Sequence, residues 1–196
     1  VETINFIITG VGGQGTILAS DVLSAVGLAA GYDVKKSDIL GLAVRGGAVV
    51  GHVRWGEKVH SPIVPDGCVD YLIAFETLEA MRWLKQLRPT GKLILNQQEI
   101  YPVSTITGGQ TYPSQANVDQ AIQTAVEHVL KVPGVEIALD VGNSRIVNVV
   151  LLGALSAALP VAPQIWETAI KERVPSRYVD LNLQAFHRGR ALAQEE

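Results

Sequence analysis

The sequence predicts a three-layer α/β domain on a mostly parallel sheet, and three observations predict it. Apolar runs of strand length alternate with segments of helical spacing. The runs are apolar at nearly every position, as in strands covered on both faces. One stretch, 41–64, breaks the alternation and predicts an antiparallel hairpin excursion, and beyond about residue 144 only helices remain. The 196 residues read as a single domain, 1–196, with a helical C-terminus.

The elements follow in order. "INFIIT" (4–9) is a β-branched and aromatic run, hence a buried strand. A glycine-rich loop separates it from "TILASDVLSAVGLAAG", a helix ending at Gly31. "YDVKKS" reads as a short strand, and the glycine-punctuated 39–64 as strand or hairpin. "VDYLIAFE" (69–76) is a buried strand, and "TLEAMRWLKQL" a helix stopped by Pro89. "GKLILN" (91–96) predicts a strand, "SQANVDQAIQTAVEHVLK" one helix through Lys131, and "GVEIALD" (134–140) a short strand. Helices over roughly 144–159, 163–174 and 177–194 follow, separated by prolines. The apolar stretch from Ile146 to Ala162 is interrupted by Asn148, Ser156 and Pro160, so it reads as a buried helix and a loop. A membrane span needs about 20 apolar residues.

Composition narrows the function classes. With 47% hydrophobic and 18% charged residues, the chain is a folded globule and not a disordered segment. A formal charge of −3 gives no general attraction to nucleic acid or anionic membranes, so neither is an expected partner. The chain opens on Val1 without a secretory pattern, and a cytoplasmic location is expected. One cysteine, Cys68, cannot ligate an iron–sulfur cluster, which takes about four thiolates. At the head of an apolar run, Cys68 is expected to be a small buried hydrophobe. The four histidines lack ligand spacing, so no metal is expected.

The loop "ITGVGGQGT" carries Gly10, Gly12, Gly13 and Gly15, with Gln14 in the last variable position. Between a strand and a helix, glycines allow a tight turn and close backbone approach. The helix start adds unpaired N–H groups and a partial positive charge. This unit makes the fold Rossmann-like and suits phosphate, pyrophosphate or carboxylate. Close helix–sheet packing and contact with a partner subunit are the alternatives. The dinucleotide fingerprint also expects an acid ending the second strand, whereas Asp33 begins it and Lys35 and Lys36 follow.

Two arginines are candidate counter-charges. Arg45 precedes Gly46 and Gly47 on a turn, where a guanidinium fork can reach an anion. Ala48, Val50, His52 and Arg54 share one strand face. That face is either a site or a solvated sheet edge. Glu76 and Glu79 are expected to complement a helix dipole, with Glu79 pairing with Arg82, and not to do acid–base chemistry. No residue is assigned a catalytic role.

"GVGGQG" together with "RGGAVVGHVRWGEKVHSPIV", "DYLIAFETLEAMRWL", "NVVLLGAL" and "DLNLQAFHRG" resembles the gamma-type domain of 2-oxoacid:ferredoxin oxidoreductases, in order, over residues 4–190. Within it the blocks look most like the small subunit type of the indolepyruvate ferredoxin oxidoreductase branch. The resemblance implies a subunit that is inactive alone. A larger alpha subunit would carry thiamine diphosphate and the iron–sulfur clusters, with ferredoxin reached through the complex. It also implies a wall near the active site, with coenzyme A at the interface held by Gly10, Gly12, Gly13, Gln14 and Gly15, and by Arg45 or Arg54. A gamma subunit of a pyruvate, 2-oxoisovalerate or 2-oxoglutarate enzyme is the nearest alternative. A stand-alone dinucleotide-binding module and a purely structural interaction protein are the others.

Overall fold

A computed structural model describes residues 2–41, 46–102, 105, 108 and 111–195. Six strands form one sheet: β1 (Ile4–Val11), β2 (Asp33–Leu40), β3 (Ala48–Gly56), β4 (Val69–Ala74), β5 (Leu87–Asn96) and β6 (His128–Val132). Their spatial order is β2-β3-β1-β4-β5-β6. β1, β4, β5 and β6 are parallel neighbours, and β3 runs antiparallel to both β1 and β2. Within the excursion over 41–64, the described residues place one reversed strand, β3, between β1 and β2.

The helices are α1 (Thr16–Ala29), α2 (Thr77–Trp83), α3 (Gln115–Ala125), α4 (Gly134–Val141), α5 (Val147–Ala157), α6 (Pro163–Arg173) and α7 (Val179–Glu195). Strand alternation splits the core in two. Phe6, Ile8, Trp55, Ile73 and Phe75 face α1 and the C-terminal helices. Ile7, Val50, Leu72, Leu93 and Leu95 face α2 and α3. α5 and α7 cross almost in backbone contact: a Cβ on Gly153 would stand 2.1 Å from the Phe186 carbonyl oxygen, and one on Gly189 2.0 Å from that of Val150.

Two expectations fail. The segment 114–131 is not one helix, because α3 ends at Ala125, Val126 turns extended, and 128–132 becomes β6. Pairing of Lys92 with His128 through Asn96 with Val132 outweighs the local helical pattern. Conversely, 134–140 is a helix, closed by Gly142 at φ +107°. A short apolar run has no period that separates the two states.

Candidate functional site

Strand order reverses at β1, whose chain leaves through α1 to one side while β4 and β5 extend the other. The C-terminal ends of β1 and β4 therefore border the crevice where open α/β sheets bind ligands. The glycine loop lies over this crevice. Gly12 donates its N–H to the Gly47 carbonyl at 2.8 Å, which ties the loop to the turn before β3.

Two of the glycines answer to packing. A Cβ on Gly10 would lie 2.8 Å from Gln14 Oε1 and from Phe75 Cβ, and one on Gly15 2.7 Å from Asn148 Nδ2. Gly13, at φ +106°, meets nothing within 4 Å. Gly15 caps α1 at φ +81° without a side-chain acceptor, and the first turn of α1 holds no acidic residue. The positive end of the helix is thus unneutralised by its own sequence, and Gly13 leaves its approach open.

Gln14 turns inward. Its Oε1 accepts the Val11 N–H at 2.7 Å, and its Nε2 donates to the Phe75 carbonyl and to Gln98 Oε1, both at 3.0 Å. Asn96, 0% exposed, donates to the Phe75 carbonyl and to Gln98 Oε1 and accepts the Gly134 N–H. Glu76, equally buried, caps α2 by accepting the Glu79 N–H at 2.9 Å, and accepts from Ile100 N–H and the Tyr112 hydroxyl. Burial and the Glu76 carboxylate push the Tyr112 phenol above its ordinary range, so it stays a donor. Burial raises the Glu79 carboxyl, partly opposed by Arg82, which it binds at 2.6 Å as expected. Sequence reasoning missed Asn96, Gln98, Tyr112 and Asn148. Asn148, inside an apolar helix, was the one with a visible signal.

The remaining candidates disperse. Arg54 lies opposite Asn5, whereas Ala48 lies opposite Val11, so Arg54 sits at the far end of β1, about 20 Å from the loop. Its Nε donates to Asn5 Oδ1 and its NH1 to the Ser61 and Ile63 carbonyls. Arg54 therefore does not meet the glycine loop. Arg45 lies outside the described residues. His52 is not on a solvated edge: β2 covers that side of β3, and the ring is buried against Trp83, accepting the Val64 N–H at 3.3 Å. Cys68 is exposed and not buried, because it sits in the turn before β4 rather than inside the strand. Among the described residues no three His, Cys, Asp or Glu side chains group to hold a metal ion.

The dinucleotide reading loses its second anchor. The strand beside β1 is the reversed β3, and the acid nearest the end of β2, Asp38, is engaged by Lys36 at 2.8 Å and by Ser20 at 2.9 Å.

The chain is similar to indolepyruvate oxidoreductase subunit IorB of Pyrococcus horikoshii, 34% identical over 97% of this chain and 96% of the relative. It is 29% identical to the 2-oxoglutarate synthase subunit KorC of Methanothermobacter thermautotrophicus, over 96% of this chain and 94% of that one. Its fold matches the gamma subunit of a keto/oxoacid ferredoxin oxidoreductase from Geobacter sulfurreducens, with a TM-score of 0.73 at 24% identity, covering 98% and 99% of the two chains. The family model for pyruvate ferredoxin/flavodoxin oxidoreductase matches residues 5–192. With nearly the whole chain inside that match, the protein belongs to the pyruvate ferredoxin/flavodoxin oxidoreductase family.

Proposed function

We propose that this chain is the small subunit of a ferredoxin-dependent 2-oxoacid oxidoreductase that oxidatively decarboxylates aryl pyruvates such as indolepyruvate to the acyl-coenzyme A. The observation that carries the reading is the end-to-end match to an indolepyruvate oxidoreductase subunit. The residues present do not fit the redox groups: a single exposed cysteine stands against the about four thiolates of a cluster. The clusters therefore belong to a larger catalytic subunit, which on this reading also carries thiamine diphosphate, and this chain is inactive without it. The same reading places both in the cytoplasm. Among the described residues no helix is long and apolar enough to cross a membrane.

This chain's own work is to bind and orient. Coenzyme A carries phosphates, and the unneutralised start of α1 beside open Gly13 offers N–H donors to an anion. Gly10, Gly12, Gln14 and Gly15 hold that opening in shape through the contacts above. Arg45 stays a proposed counter-charge on residue type alone. Exposed Ile17, Ile39 and Leu40 border the same end of the sheet and form the face offered to the larger subunit. The likeness to a 2-oxoglutarate synthase subunit favours one second reading, the same role in an enzyme for an aliphatic 2-oxoacid.

Anaerobic co-purification on this chain tests the proposal, with iron, thiamine diphosphate and coenzyme A-dependent oxidation of indolepyruvate and 2-oxoglutarate measured on the retained material. One large cofactor-bearing partner with indolepyruvate turnover is expected. Turnover of 2-oxoglutarate alone would move the substrate to the second reading, and NAD or FAD binding without any partner would overturn the subunit assignment. In the active complex, Gly13→Asp should raise the KM for coenzyme A at least about tenfold by placing a carboxylate at the helix start.

A further inference from the structure

A cavity of about 380 Å³ lies at the β6 edge of the sheet, between the strands and the C-terminal helices. Its floor is β5 over 92–94 with 127–130, and its roof is Ala154, Ala157 and Ala158 at the end of α5 with Ala193 of α7. The volume falls within the roughly 300–1,000 Å³ of small-molecule sites.

Strand register explains both the room and its chemistry. Phe6 pairs with Tyr71, Tyr71 with Lys92, and Lys92 with His128, so the four side chains form one row on the face covered by the C-terminal helices. The row begins as core: Phe6 is buried, and its ring stacks on that of Tyr71 at 5.5 Å with the planes 18° apart. The Tyr71 hydroxyl donates to the Ala158 carbonyl at 3.1 Å, which ties the roof to the row. A strand covered by helices carries apolar side chains at the next two positions. Here they are Lys92 and His128, and the helices meet them with alanines. The rings therefore stop at a slot that has methyl groups above it, Ile94 and Leu130 on its inner wall and cations at its mouth. Lys92 and His128 are exposed, and neither forms an ion pair with a described residue. Glu127, also exposed, is the one carboxylate among the lining residues.

We infer that this slot binds a small aryl carboxylate, its ring continuing the Phe6–Tyr71 row over the stem of Lys92 and its carboxylate on the Lys92 ammonium beside His128. An offset-stacked ring suits the end of an aromatic row, and a compact ammonium suits a single carboxylate. Lys92 stands four residues before Asn96, about 13 Å along β5 from the network under the glycine loop. A ligand here is thus separate from the crevice and acts on the protein as an effector. The inference rests on this geometry and not on the function proposed above.

Calorimetric titration of phenylacetate into the co-purified complex, or into the full chain where no partner is retained, tests it. Saturable binding is expected, and phenethylamine, the same ring on an ammonium, should not bind. Lys92→Ala should weaken phenylacetate binding at least about tenfold, and Lys92→Arg by less. Ala157→Leu, which fills the slot and keeps the charge, should abolish it. Lys92 is exposed and Ala157 half-buried, so both variants should unfold thermally as the wild type does. Saturating coenzyme A should leave the phenylacetate affinity unchanged. Absent phenylacetate binding in the wild type, equal binding of phenethylamine, wild-type affinity in Ala157→Leu, or displacement by coenzyme A overturns the site. Failure to retain a partner would instead overturn the subunit reading, and the titration would still decide the slot.

Discussion

The two ends of the sheet are built from the same chemistry and do opposite things. At the N-terminal ends of the strands, Arg54, Asn5, Asp70 and Arg88 form a closed seam. Asn5 donates its N–H to Asp70 Oδ2 at 2.6 Å and its amide to the Cys68 carbonyl, Arg54 holds Asn5 and the 61–63 carbonyls, and Arg88 meets Asp70 at 2.7 Å. At the C-terminal ends, Gln14, Gln98 and Asn96 form a second network around the Phe75 carbonyl, but above it the helix start and Gly13 stay open. The difference teaches that an amide- and arginine-rich cluster marks a site only where it leaves room for a ligand: Arg88 Nε at the closed end also lacks a partner, but it is buried. The closed end binds the chain to itself; the open end has capacity for something else.

Substitutions at the two ends should separate stability from ligand use. The largest expected effect is at the closed end. Asp70→Ala removes the acceptor of a buried N–H and leaves Arg88 without its carboxylate, which should cost about 2–3 kcal/mol and lower the Tm by about 4–12 °C. The coenzyme A KM of the complex should not change, and a raised KM at an unchanged Tm would break the comparison. Gln14→Ala, at the open end, should cost about 1–2 kcal/mol, because the Val11 N–H and Phe75 carbonyl lose partners. It should also raise the coenzyme A KM, because the loop above loses its support. Stability loss without a KM change would make Gln14 a member of a purely structural seam, like Asp70.

Much of this was legible in the sequence. The unbroken apolar runs marked the buried strands, and the glycines between the first strand and α1 marked the loop. What was not legible depends on pairing. Segments 128–132 and 134–140 exchanged states because one completes the sheet edge against β5 and the other does not, a fact held in β5 and not in the segments themselves. Arg54 and His52 shared a face, as period two requires, but only the register with β1 reveals that Arg54 stands opposite Asn5, away from the loop.

His52 gives the smallest and most specific test, between the two ends of β3. Burial holds its imidazole below the ordinary value of 6.5, and neutral Nδ1 accepts the Val64 N–H. The unfolded chain therefore takes up a proton more readily than the folded one. The stability His52 contributes is complete above pH 6.5 and is lost as pH falls from there toward the depressed folded value. His52→Leu removes that proton and leaves the Val64 N–H unbonded, for a loss of about 1 kcal/mol at pH 7.5. At pH 5 the wild type pays its protonation penalty and the variant does not, so the gap between their Tm values should narrow or reverse. Exposed histidines and surface carboxylates titrate alike in both proteins and drop out of the difference. An equal gap at both pH values would mean that His52 is protonated in the fold as easily as in water, which its place between Trp83 and the Val64 N–H does not allow without opening that face of the sheet.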